Sequence, residues 1–241
     1  DFAKGICMIF IVFGHIFPSK AHPVLIYVYS FHVPAFFIIS GLLLEYTKEY
    51  QKPLLELAKS NILRLLVPYI CFETIYNVIY CCFNGFFNIG WLMWQTIILY
   101  GAGLATWFLP VLFASKAYLL LLKKITHNQV VICLACLIPF CFALFSGFDD
   151  STGQWKLYIL FRTCNAIGFL WIGTLLCQYI EKITDSKIIL AISLMVSIIA
   201  GLANGRISTY SMFYGNPLLY FIAAVSGTLM LLCFGKHIKH A

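Results

Sequence analysis

Long apolar runs, separated by short polar stretches, constrain the fold of this chain more than any other feature. Eight runs approach the length of about 20 residues that an α-helix needs to cross a bilayer. They are residues 2–17, 24–44, 61–83, 102–122, 130–146, 157–179, 188–204 and 217–234. Only 10% of the residues are charged, against roughly 25% in soluble domains. The sequence therefore predicts an all-α fold, a polytopic transmembrane helical bundle, and excludes an ordinary soluble domain.

The apolar segment 86–100 is too short to be a further span. Its aromatic residues Trp91, Trp94 and Tyr100 are typical of the membrane interface. We expect an interfacial or re-entrant helix there.

The positions of lysine and arginine predict the orientation of the spans. With the N-terminus inside, only Lys20, Lys156, Arg162 and Arg206 of the 16 Lys and Arg residues fall outside, and the other 12 fall inside. This asymmetry follows the positive-inside rule. Residues 45–60, 123–129 and 180–187 are thus predicted to be cytoplasmic, and 84–101, 147–156 and 205–216 extracytoplasmic. The net charge of +7 comes from basic residues between the apolar runs, so it reflects the membrane topology of the chain. It does not predict a nucleic-acid partner.

The ten cysteines do not predict a metal site. Cys133 and Cys136 form a CxxC pair, but a second pair and a histidine at ligand spacing are both missing. Thiols inside apolar runs are expected to pack as small apolar side chains, so no metal is predicted.

The first span carries the most suggestive pair of ionisable residues, Lys4 and His15. Eleven residues at about 100° each bring both side chains onto one helix face, about 16 Å apart along the axis. Ionisable groups inside a membrane are costly, so each is a functional candidate. An imidazole can accept a proton near neutral pH, which makes His15 a candidate general base. His15 could instead hydrogen-bond a neighbouring helix or lie at the outer interface.

The second span contains a helix-breaking proline and two small residues. Pro34 frees a backbone carbonyl, and Ser40 with Gly41 permits close helix contact, which favours a pocket. His32 is a second candidate base, although its place near the outer end of the span favours an interfacial or structural role.

Further polar residues lie at both membrane surfaces. Arg64, at the inner side, could bind phosphate through its guanidinium or serve as an ordinary positive-inside anchor. Arg162, Asn165 and Arg206, toward the outer side, could hold a polar acceptor or meet lipid headgroups. Glu73 lies deeper in its span and needs a hydrogen-bond or charge partner. Tyr76 and a cation in the inner half of the membrane are the candidates.

Several stretches resemble the acyltransferase family 3 membrane proteins, whose members include O-acetyltransferases of bacterial surface polysaccharides. The matching stretches are Asp1–Gly5 with Gly14-His15, Phe31–Gly41, Arg64–Tyr69 and Thr106–Phe113. Weaker similarity follows at Phe169–Gly173 and from Asn204 to Pro217. Taken together, the order and spacing of these motifs are specific to the family. The similarity runs along essentially the whole chain.

The resemblance implies a function and a cellular location. In that family a basic residue followed after ten residues by His marks the first span, and this His is taken as catalytic; Lys4 and His15 stand at those positions. Acetyl-CoA is implied as acyl donor, in the bacterial cytoplasmic membrane with a cytoplasmic N-terminus. Members usually have ten spans, so residues 1–241 are expected to be a single acyltransferase domain truncated at both ends.

The predicted reaction is O-acyl transfer to a hydroxyl of an extracytoplasmic or lipid-linked glycan. Lys4 and Arg64 are expected to attract the phosphates of cytosolic acetyl-CoA. His15 acts as general base on the acceptor hydroxyl or relays the acetyl group. The expected substrate-binding residues are Ser40, Trp107, Arg162 and Asn165. The sequence indicates neither the acceptor nor the oligomeric state.

The rival function is transport of a small solute or lipid-linked sugar, with His15 as a proton relay. Transporters commonly show internal repeats, and none is visible in this sequence. A scaffold without catalytic activity would tolerate replacement of both Lys4 and His15.

Overall fold

The computed structural model describes residues 2–16, 22–85, 88, 90, 105–147 and 155–239, and these residues form a bundle of α-helices. The helices are α1 (Phe2–Ile16), α2 (Pro23–Tyr46), α3 (Leu54–Asn61), α4 (Val67–Asn84), α5 (Phe108–Ile125), α6 (Gln129–Phe145), α7 (Trp155–Leu176), α8 (Ile180–Asp185), α9 (Lys187–Asn204) and α10 (Pro217–Lys239). Short 3-10 turns occupy Glu49–Gln51, Ala105–Trp107 and Cys177–Tyr179, and a π-helical turn, Ile62–Leu66, joins α3 to α4. The predicted all-α transmembrane bundle is confirmed.

Each of the eight predicted spans coincides with a helix or a pair of joined helices. Within the described ranges, five helical segments are long and apolar enough to cross a membrane. They are Pro23–Tyr46, Leu54–Asn84, Tyr158–Asp185, Lys187–Asn204 and Pro217–Ile238. Helices α1 and α6 are apolar but shorter, and α5 carries three lysines. The interfacial helix predicted for 86–100 lies outside the described residues, apart from Asn88 and Gly90.

Helix α2 lies at the centre of the bundle. It packs against α1, α5, α7, α9 and α10, and every residue from Ser30 to Leu42 is buried. A helix that is apolar on all faces suits such a position. The approach to α7 is closest at two glycines, because a Cβ at Gly41 would overlap the carbonyl oxygen of Leu170, and one at Gly173 would overlap that of Ile38.

Charged side chains meet at one end of the bundle. Lys116 Nζ lies 2.8 Å from Glu49 Oε2 and 2.9 Å from Asn61 Oδ1. Lys123 pairs with Glu45 close by. We call these five residues the ionic cluster. All of them lie on the side that the lysine and arginine count predicts to be cytoplasmic.

The two ends of the described chain lie together. The rings of Phe2, at the start of α1, and Phe234, near the end of α10, have centroids 6.2 Å apart. An even number of membrane crossings brings both ends to the same side, so this contact agrees with eight spans.

The predicted orientation can be tested by labelling single cysteines in a background from which the ten native cysteines have been replaced. We expect a membrane-impermeant maleimide applied to intact cells to label Phe213→Cys, because Phe213 is exposed in the loop after α9. Lys52→Cys and Lys182→Cys, also at exposed positions, should react only after permeabilisation. Outside-only labelling at position 52 or 182 would overturn the orientation.

Candidate active site

A cavity of about 340 Å³ lies between α1, α2, the start of α5 and the loop that joins α9 to α10. Its volume is within the range of small-molecule sites, about 300–1,000 Å³. The polar and aromatic residues of its wall include His15, Tyr29, His32, Trp107, Arg206 and Tyr210. All four elements meet here at the end of the bundle that is predicted to face outward, opposite the ionic cluster.

His15 lies in the last turn of α1 and lines the cavity. The backbone that carries it is held by Tyr29 of α2, whose hydroxyl donates a hydrogen bond to the carbonyl oxygen of Gly14, 3.2 Å away. Gly14 leaves room for this contact, since a Cβ there would lie 2.8 Å from the Tyr29 hydroxyl oxygen. Nothing in the sequence distinguishes Tyr29 from the other tyrosines, and only its contact with Gly14 identifies it as a residue that positions the end of α1.

His32 also lines the cavity. The side chain is only 4% exposed, and its Nδ1 lies 2.8 Å from the carbonyl oxygen of Val28. A carbonyl can only accept, so we assign the proton to Nδ1 and the lone pair of the neutral ring to Nε2. The ring stands edge-to-face against Tyr29, with centroids 5.1 Å apart. His32 is therefore a buried wall residue of the cavity, which agrees with the structural one of the two roles, interfacial or structural, expected from the sequence.

Lys4 lies near the other end of α1, half-buried. The charges of Glu49 and Lys116 act on its ammonium group, so it belongs beside the ionic cluster. Ile11, seven residues further along the same helix, lines the cavity with His15, whereas Lys4 does not. Helix α1 thus joins a region of charged side chains of both signs at one end of the bundle to an imidazole-lined cavity at the other.

Arg162 lies behind the cavity wall, with 3% of its surface exposed. Its Nε donates a hydrogen bond to the carbonyl oxygen of Tyr210, 2.8 Å away. The guanidinium packs 4.3 Å from the ring centroid of Tyr210, 5.0 Å from that of Trp107 and 5.5 Å from that of Tyr158. Such cation–π contacts are strong when desolvated. Arg162 therefore holds two aromatic wall residues, Trp107 and Tyr210, and does not itself line the cavity.

Asn165 follows Arg162 on α7 and is fully buried. Its Nδ2 donates to the hydroxyl oxygen of Tyr220 at 3.2 Å. In the part of the chain that the structure describes, Asn165 Oδ1 and the Tyr214 hydroxyl have no hydrogen-bond partner. Burial raises the pKa of Tyr214, in the α9–α10 loop, well above its ordinary value, so its hydroxyl stays neutral. Asn165, Tyr214 and Tyr220 do not themselves line the cavity.

Ser40 and Arg64 lie away from the cavity. Ser40 is buried in α2, eight residues or about 12 Å along the axis from His32. Arg64 is exposed in the π-helical turn. Pro68 explains that turn, because it has no N–H to donate to the Arg64 carbonyl in a regular α-helix. Of the predicted site residues, the structure brings His15 and Trp107 to the cavity and Arg162 directly behind it.

Glu73 is buried in α4, and Thr106 donates a hydrogen bond to its carboxylate. Thr106 precedes Trp107 of the cavity wall, so this contact connects α4 to the wall. The partners guessed from the sequence, Tyr76 or an inner cation, did not include Thr106. Across the described ranges no three His, Cys, Asp or Glu side chains come together as metal ligands would.

Comparison with known proteins gives one match. The model of an acyltransferase domain matches residues 1–240, essentially the whole chain. No curated protein and no solved structure matches the chain.

Proposed function

The chain belongs to acyltransferase family 3 and is a membrane acyltransferase, and we propose that it moves an acetyl or similar short acyl group from cytosolic acyl-CoA to a hydroxyl of an extracytoplasmic or lipid-linked glycan. The observation that carries this proposal is the arrangement of α1. Lys4 lies beside the ionic cluster, and His15 lines the cavity at the opposite end of the bundle. We place the protein in the bacterial cytoplasmic membrane, with its N-terminus inside.

His15 is the proposed general base. It removes the proton of the acceptor hydroxyl as the oxygen attacks the thioester carbonyl carbon. The carbon–sulfur bond then breaks, and the CoA thiolate takes up the proton, so the products are an oxygen ester and a thiol. Trp107 and Tyr210 offer flat aromatic surfaces in the same wall, which suit the apolar face of a sugar ring.

The donor is proposed to be held from the cytoplasmic side. Arg64 is exposed and forms no hydrogen bond or ion pair within the described chain, so its forked donors are available to a phosphate. Lys4 adds a second cation at the same membrane surface. Both cations would act on the nucleotide end of acyl-CoA, away from the acceptor.

Lys4→Ala should raise the KM for acetyl-CoA about tenfold and lower kcat less, because a phosphate contact is made in ground and transition states alike. Lys4→Arg should be largely tolerated, since the position needs a cation. Transfer of radiolabelled acetyl groups to membrane or surface glycans would be measured in inverted vesicles.

Lys59→Ala is the matched control for Lys4→Ala, because it removes a different lysine, an exposed one, from the predicted cytoplasmic side. An equal rise in KM for Lys59→Ala would reduce the role of Lys4 to general surface charge. If the wild-type protein never consumes acetyl-CoA, the acyl-transfer proposal gives way to transport with His15 as a proton relay.

A further inference from the structure

The charged side chains of the described cavity wall are of one sign, positive. Its ionisable side chains other than tyrosine are His15, His32 and Arg206, each neutral or positive, and no Asp or Glu of the described chain lines it. Glu73 is held by Thr106 outside the wall. Most of the remaining polar groups are hydroxyls from Tyr29 and from residues 208–211. An anion in this cavity would meet donors and a cation, and no carboxylate of the described residues in the wall would repel it.

Arg206 is the permanent cation among the described residues of this wall. It is exposed to solvent at the cavity and forms no hydrogen bond or ion pair with any residue that the structure describes. A guanidinium presents a planar fork of donors that matches the two oxygens of a carboxylate or phosphate. Since no side chain of the described chain occupies this fork, it is available to a bound molecule.

The loop that carries Arg206 is fixed in place. Asn204 Nδ2 donates to the carbonyl oxygen of Tyr214 at 2.9 Å, and Asn204 Oδ1 accepts from the backbone N–H of Asn216 at 2.7 Å. The backbones of Ser208 and Phe213 exchange two hydrogen bonds of 2.8 and 3.0 Å. A loop that is ordered before binding does not have to be ordered by the ligand, which favours affinity.

We propose that the acceptor is an anionic glycan: the cavity binds a sugar that carries a carboxylate or phosphate, Arg206 binds this oxyanion, and a hydroxyl of the same glycan faces His15. The inference rests on the proposed acyl transfer for the fate of that hydroxyl, but it concerns what the cavity binds. A neutral sugar would leave the guanidinium without its ligand.

The test measures binding in the absence of acyl-CoA, with the full chain in phosphatidylcholine nanodiscs. The probes are a glucuronic acid oligosaccharide, a glucose oligosaccharide of equal length and linkage, and that glucose oligosaccharide with one phosphate. We expect the two anionic probes to bind about tenfold more tightly than the neutral one, as a hydrogen-bonded charge pair provides. This preference should weaken as salt is raised.

Arg206→Gln should remove the preference and leave binding of the neutral probe unchanged, and Arg206→Lys should keep part of it. Lys187→Gln is the matched control, because it removes one exposed cation at the first residue of α9, the helix whose last residue precedes the Arg206 loop, and it should change nothing.

Equal affinity for the anionic and neutral probes would overturn the proposal. So would an effect of Arg206→Gln that appears only in nanodiscs containing phosphatidylglycerol and is the same for every probe, because Arg206 would then be binding lipid headgroups. Acyl transfer is scored separately. An anion preference without any transfer would contradict the proposed function alone, and transfer without an anion preference would contradict this inference alone.

Discussion

His15→Ala should lower acyl transfer by about 10²–10⁴-fold, the usual contribution of a general base, while the protein still inserts and folds. The substitution removes the imidazole that faces the cavity and introduces no buried charge, so we expect no large cost in stability. Binding of acetyl-CoA should change little, because Lys4, which is proposed to bind its phosphates, lies near the other end of α1.

The experiment compares initial rates of radiolabelled acetyl transfer by wild type and His15→Ala at equal amounts of inserted protein. His127→Ala provides a matched control, since His127 is an exposed histidine in the loop before α6 and should not affect turnover. Near wild-type transfer by His15→Ala would refute the general-base assignment. His32, a second imidazole of the wall, would then be the next candidate for the proton acceptor.

Gly41→Ala should destabilise the protein severely, by more than about 3 kcal/mol, the upper end of usual overpacking costs. The added methyl would overlap the carbonyl oxygen of Leu170, and backbone cannot swing aside as a flexible side chain can. Separation of α2 from α7 would disturb the centre of the bundle and the position of His32. Both stability and acyl transfer should therefore be lost together.

Gly5→Ala is the matched control for Gly41→Ala. Gly5 is also a helical glycine, but nothing lies within 4 Å of a Cβ built there. Alanine is about 1 kcal/mol more favourable than glycine in a helix interior, so this variant should be neutral or slightly more stable. Thermal unfolding in detergent, followed by size-exclusion chromatography, measures both variants. If Gly41→Ala unfolds at the temperature of Gly5→Ala, the close contact of α2 with α7 is wrong.

The helices, and the ionisable residues that α1 carries, could be predicted from the sequence alone. Each apolar run is close to the length that crosses a bilayer. A segment inside a bilayer must satisfy every backbone N–H and C=O within itself, and an α-helix does so. The spacing of Lys4 and His15 is a property of one helix, so the regular geometry of that helix was enough to separate them along its axis. The motifs also indicated the family, which the match over residues 1–240 confirms.

The residues that surround the cavity could not be predicted in this way, because they are brought together by contacts between helices. Tyr29 meets Gly14, Arg162 meets Tyr210 across 48 residues, and Thr106 meets Glu73 across 33. The physical reason is that lipid tails are as apolar as the helix faces, so hydropathy does not say which faces pack together. That choice depends on glycine contacts and hydrogen bonds between helices, which connect residues far apart in the sequence.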